Sequence, residues 1–268
     1  MPPLTLLAVR FLIAGAVLYA WAVFRGAARP TRRHWLAALV LGGGFLLIGT
    51  GGVAWAETRV DSGVVALVVA VMPLWLALLD RQRLSWRALV GLALGFGGVA
   101  LLVGPGAGSF SWPALVVVFT SLGWAASSLY ARSAPQSAPL LFAAMQMLAG
   151  GALLFVAGAL RGELGHLQRP TLSLVEALSY LIVVGSLVGF TAYSWLLRNA
   201  RMSLIGTYAF VNPVVAVLLG VAFNNETLGV RTLVAGAVIV SGVALIVLAP
   251  AYPDRRRAGQ AAVPVRAR

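Results

Sequence analysis

Apolar runs, most of them about twenty residues long, follow one another from Leu4 to Leu248, and short gaps between them hold nearly all the charge. At 1.5 Å per residue, a helix of about 20 residues spans the roughly 30 Å hydrocarbon core of a bilayer. In hydrocarbon every backbone N–H and C=O must be satisfied internally, which a helix does segment by segment. The expected fold is therefore an all-α polytopic membrane protein, with spans near 4–24, 35–56, 62–79, 88–103, 112–131, 138–160, 174–197, 203–223 and 228–248. With 60% hydrophobic and 10% charged residues and no cysteine, the chain excludes a soluble globule, a disulfide framework and a thiol nucleophile.

A net charge of +13 would suggest nucleic acid in a soluble protein, but here the arginines that carry it alternate by gap. Arg25, Arg29, Arg32 and Arg33 fill the first gap, whereas the second holds Arg59 beside Glu57 and Asp61. Arg-rich gaps stay cytoplasmic, so this pattern reads as topology and not as a nucleic-acid surface. It predicts an amino terminus outside, a carboxyl terminus in the cytoplasm and residence in the inner (plasma) membrane. The Arg-rich tail 251–268 is expected to be disordered and cytoplasmic.

The chain also repeats itself. Gly49, Trp55 and Pro73 match Gly189, Trp195 and Pro213 at a shift of 140 residues, and Ala8, Leu12 and Gly15 match Ala144, Leu148 and Gly151 at a shift of 136. Further on, Gly91 and Gly97 match Gly236 and Gly242. Such periodicity dictates architecture before any motif does. The second copy has five spans and the first has four, and matched gaps carry opposite charge character. The expectation is an inverted repeat of five-helix units with the first helix missing, giving nine transmembrane helices. Either a misplaced start or a real truncation would account for the missing helix.

These residues carry a resemblance to a known family. LLAVRFLIAG near the start, MPLW at Met72 to Trp75, LGFGGVALLVGP from Leu94, GFTAYSWLLRNARMS, FVNPVVAVLLGV and LVAGAVIVSGVALI together resemble the EamA-like family of the drug/metabolite transporter superfamily. The resemblance implies an exporter of small metabolites built from two inverted five-helix repeats around a central cavity. It divides the chain into a first repeat at 1–104, a second at 112–250 and the tail. The chain departs from the family pattern in its absent first helix, in the short connection from Asp80 to Leu84, and at NNET from Asn224.

Pro73 and Pro213 stand about midway along their spans, where each frees the carbonyl four residues back, on Val69 and Ala209. Symmetrically interrupted helices point to a transporter's midplane site, although a packing kink gives the same letters. Trp124 and Ser128 share one helical face, as do Tyr208 and Asn212, and Gln146 and Tyr193 are further polar side chains deep in spans. These eight residues, Pro73, Trp124, Ser128, Gln146, Tyr193, Tyr208, Asn212 and Pro213, are the candidate substrate-binding set. Interhelical hydrogen bonding without any ligand is the competing account of each polar one. Arg10 lies near the outer interface and is expected to snorkel or to pair with Glu57.

Chemistry other than transport finds little support. His34 and His166 fall on opposite sides, no phosphate-cradling glycine loop is present, and every carboxylate is terminal to a span or in a gap. Neither a catalytic constellation, a metal site nor a cofactor is expected. The reading is a carrier of a small neutral or zwitterionic metabolite whose partners are that solute and the bilayer; a homodimer is compatible with it. Its alternatives are a non-transporting assembly subunit, an inactive truncated transporter, or a membrane enzyme using Glu57, Arg59 and Asp61 on lipid-linked substrates.

Overall fold

The computed structural model describes residues 2–69, 72–79, 86–103, 112–167, 171–199 and 229–248. The eighth expected span, with Tyr208, Asn212 and Pro213, the connection 80–84 and the tail 251–268 lie outside the described residues. Among the described residues the chain is helical throughout: α1 (Pro3–Phe24), α2 (Arg32–Glu57), α3 (Ser62–Val69), α4 (Met72–Leu79), α5 (Trp86–Val103), α6 (Trp112–Ser133), α7 (Pro139–Leu160), α8 (Leu172–Asn199) and α9 (Val230–Val247). Both α3 and α4 fall in the third expected span. Five helices, α1, α2, α6, α7 and α8, are long and apolar enough to cross a membrane.

Apolar side chains fill the interior and also cover much of the outside, and several polar side chains of the helices are buried among them. Thr5, Thr120, Ser121, Ser128, Gln146 and Ser186 are buried, whereas Ile13, Val17, Trp21 and Phe24 of α1 are exposed. Lipid solvates such an outer face, so the hydrophobic effect contributes little to helix association and close packing of small residues contributes more. Gly15 of α1 rests on the Leu148 backbone of α7, and Gly151 of α7 rests on the Leu12 backbone of α1. That reciprocal pattern makes the two helices antiparallel. On the far side of the bundle Gly242 of α9 sits over the backbone of Gly91 and Gly95 in α5, while Gly98 sits over Ala235 and Ile239.

The ends of α1 and α7 are built alike. Each is 22 residues long, begins with proline at the first helical position and ends in Arg-Gly. Proline suits that position because its missing N–H would have no intrahelical partner there. Gly26 and Gly162 then turn the chain with φ of +80° and +75°, a conformation that side-chain-bearing residues avoid. The helices that follow are capped by Thr31, which accepts from His34 N, and by Thr171, which accepts from Leu174 N.

Within the described long helices two stretches depart from α geometry. Gly43–Gly51 within α2 and Leu181–Phe190 within α8 are wound as π-helix. Thr50 Oγ1 donates to Phe45 O at 3.1 Å, so its hydroxyl supports the wider turn. Such turns often mark functional sites. A separate tie joins α7 to the start of α1: Glu163, just past α7, accepts from Thr5 N at 2.8 Å and from Thr5 Oγ1 at 2.9 Å. A carboxylate there satisfies N–H groups that the first turn leaves unpaired.

Candidate transport cavity

Both π-helical stretches face the same space. A cavity of about 380 Å³ opens between α1, α2, α6 and α8, with Val69 and Met72 from α3 and α4 at its edge. Gly49 and Thr50 line it from the first wide turn, Gly185, Gly189 and Phe190 from the second. Its volume lies at the small end of the roughly 300–1,000 Å³ usual for small-molecule sites. Glycine matters at Gly49, where a Cβ would meet Trp124 Cε3 at 2.5 Å and close off some of the space.

One wall is aromatic. Phe45 stands edge-on to Trp124, Phe190 and Tyr193, with ring centroids 5.2, 6.2 and 6.0 Å apart, and Phe11 meets Phe190 at 6.4 Å. Each such pair contributes about 0.5–1.5 kcal/mol beyond its burial, which makes this wall stiff. Trp124 Nε1 donates to Tyr193 Oη at 2.8 Å, and Tyr193 Oη lies 3.0 Å from Ser128 Oγ. Ser128 Oγ donates in turn to Trp124 O. Trp75 Nε1 donates to Ser121 Oγ at 3.0 Å and secures α4 against α6.

The lining also holds a cation. Arg10 lines the cavity, its Nε donates to Ser186 Oγ at 2.7 Å, and its guanidinium carbon lies 4.8 Å from the Phe11 ring centre. Gly185 makes room for it, since a Cβ there would meet Arg10 Nη2 at 2.5 Å. Sequence suggested Glu57 as its partner; Ser186 takes that place.

Of the candidate binding residues, Trp124 and Tyr193 line the cavity, and Ser128 stands behind them in their hydrogen-bonded chain. Gln146 is buried on α7 away from the cavity lining, with Oε1 lacking a hydrogen-bond partner in the described structure. Pro73 lies in α4 one residue after the cavity-lining Met72, and Val69 at the end of α3 also lines the cavity. The residues that sequence left out are Phe11, Thr50, Thr120, Ser121 and Phe190. An ionisable residue inside a span is itself a signal for a site, and Arg10 carried that signal.

Comparison with known proteins decides the family. The model of the EamA-like transporter family matches residues 1–104 and 111–248. This chain belongs to that family. Its members are transporters and not enzymes, and the chain is a membrane protein of the same kind. It is 38% identical over 255 residues to the "Uncharacterized inner membrane transporter YedA" of Escherichia coli (strain K12), covering 92% of this chain and 82% of that one. It is 26% identical over 204 residues to the "Probable terminal-alkyne amino-acid exporter" of Streptantibioticus cattleyicolor, covering 72% and 66% of the two chains. A crystal structure of similar fold superposes with a TM-score of 0.64 at 23% identity, over 92% of this chain and 88% of the other.

Proposed function

We propose that this EamA-family protein exports small neutral or zwitterionic metabolites by alternating access between two inverted repeats, 1–104 and 112–250. The cavity carries the reading: it is a small polar-and-aromatic space to which the two wide turns, 43–51 and 181–190, contribute from matching places at the 140-residue shift. Equal lengths and like ends of α1 and α7, and their antiparallel crossing, support repeats of opposite orientation. So does the pairing of α5 with α9, each 18 residues long. The contacts of Gly98 resemble those of Gly242, each facing a carbonyl and the N–H four residues on, which supports the same repeat. The amino-acid exporter among the relatives supports a zwitterionic solute. Four arginines in the first gap favour the amino end of α1 outside and the carboxyl end in the cytoplasm of a bacterial inner membrane.

Purified protein in liposomes loaded with a panel of amino acids and related solutes tests this. Saturable, protein-dependent efflux of at least one of them is the expected result. No such flux across the panel would overturn the transport reading.

A further inference from the structure

We propose that Arg10 anchors the carboxylate of the transported solute, and that the cavity therefore selects carboxylates carrying an apolar or aromatic body. This deepens the transport reading above and rests on it. Arg10 lies seven residues into α1, about 10 Å from the helix start at 1.5 Å per residue, and its side chain turns to Ser186 and the cavity. An ionised group within a span is costly unless it is paired or serves a cavity, and Arg10 lines one. No Asp or Glu stands among the lining residues described.

The surroundings orient the guanidinium without neutralising it. Ser186 occupies Nε at 2.7 Å, Phe11 lies against the guanidinium, and Gly185 leaves the room that Nη2 fills. A fork held by one edge and one face keeps N–H donors for a planar oxyanion, the geometry at which arginine outperforms lysine. The indole N–H of Trp124 and the hydroxyl of Ser128 are already engaged with Tyr193 and with α6 backbone. What that wall presents to a solute is ring surface. A cation and ring surfaces in one lining suit the two ends of an aromatic or aliphatic carboxylate.

Equilibrium binding to the purified, detergent-solubilised full chain reads this directly, with 3-phenylpropionate, L-phenylalanine and phenylalaninamide as probes. The two carboxylates should bind and the amide should not. Arg10→Gln should weaken carboxylate binding by about ten- to a hundredfold, the range for losing a charged hydrogen bond. Arg10→Lys should recover some of it, because charge returns without the fork. Gly185→Ala keeps the charge and displaces the guanidinium, so it should weaken the carboxylates too, which covers the case of Arg10→Gln failing to fold. Equal binding of acid and amide, no carboxylate binding at all, or carboxylate binding indifferent to both Arg10→Gln and Gly185→Ala would overturn the proposal. Liposome flux separates the two readings. Efflux of neutral solutes that persists in Arg10→Gln while carboxylate binding is unchanged refutes the anchor alone, whereas wild-type binding without any flux refutes transport alone.

Discussion

Adjacent glycines on α5 should respond to alanine with opposite sign. Gly97 is exposed, and a Cβ built there meets nothing within 4 Å. At Gly98 the same atom meets Ile239 Cγ1 at 2.7 Å and the backbone of Ala235 and Ile239 at 3.1 Å. Gly242, on the reciprocal side, is tighter, with Gly91 O and Gly95 N both at 2.6 Å. Ordinary contact begins at 3.4 Å, so Gly242→Ala must push the facing backbones about 0.8 Å farther from each other, and no side chain can yield to spare them. Overpacking of this kind costs about 1–3 kcal/mol. Gly98→Ala should fall at the low end, because Ile239 can turn away and only a few tenths of an ångström remain to be found. Gly97→Ala should gain about 0.5–1 kcal/mol from lost unfolded-state freedom. Thermal unfolding of the three variants in one detergent, followed by intrinsic tryptophan fluorescence, should rank Gly97→Ala at or above wild type, then Gly98→Ala, then Gly242→Ala. A Gly242→Ala midpoint equal to wild type, or Gly97→Ala as the least stable variant, would refute the reciprocal crossing.

Other variants probe the remaining ties. Glu163→Ala removes the acceptor of Thr5 N and Oγ1, should cost about 1–3 kcal/mol, and should speed hydrogen exchange at the Thr5 amide; unchanged exchange would show that the tie does not form in the membrane protein. Thr31→Ala and Thr171→Ala each delete a helix cap and should each lower stability by about 1 kcal/mol, read as paired falls in melting midpoint. Gly49→Ala drives a methyl toward Trp124 and should cut flux of bulky solutes more than of small ones in liposomes. Because the chain has no cysteine, Thr31→Cys and Gly165→Cys permit one-site labelling; an impermeant maleimide added to intact cells should reach position 165 only, and labelling of 31 instead would reverse the topology.

Helix extents were legible because hydrocarbon sets them. The run expected at 138–160 is Pro139–Leu160, and that at 4–24 is Pro3–Phe24. The π-helical stretches were not legible, because segments such as Leu181–Phe190 are almost wholly apolar and carry no period from which winding can be read. Gly49 and Gly189 match at the 140-residue shift, but the letters do not reveal that both lie in π-helical stretches. Depth along a helix follows from residue count, but the direction a side chain faces follows from its neighbours, which is why Arg10 was placed by distance and then found turned to Ser186. Gln146 shows the same limit: its depth was evident, its turn away from the cavity was not.

The reciprocal glycine crossings have a mechanical consequence. Helices that meet through large side chains can step past one another, each knob dropping into the next hole. At Gly242, as at Gly42, the nearest facing atoms are backbone and there is no knob to advance. Sliding by one residue would bring a Cβ onto a carbonyl, whereas tilting about the touching point disturbs almost nothing. Such contacts resist a piston-like slide more than a seesaw-like tilt.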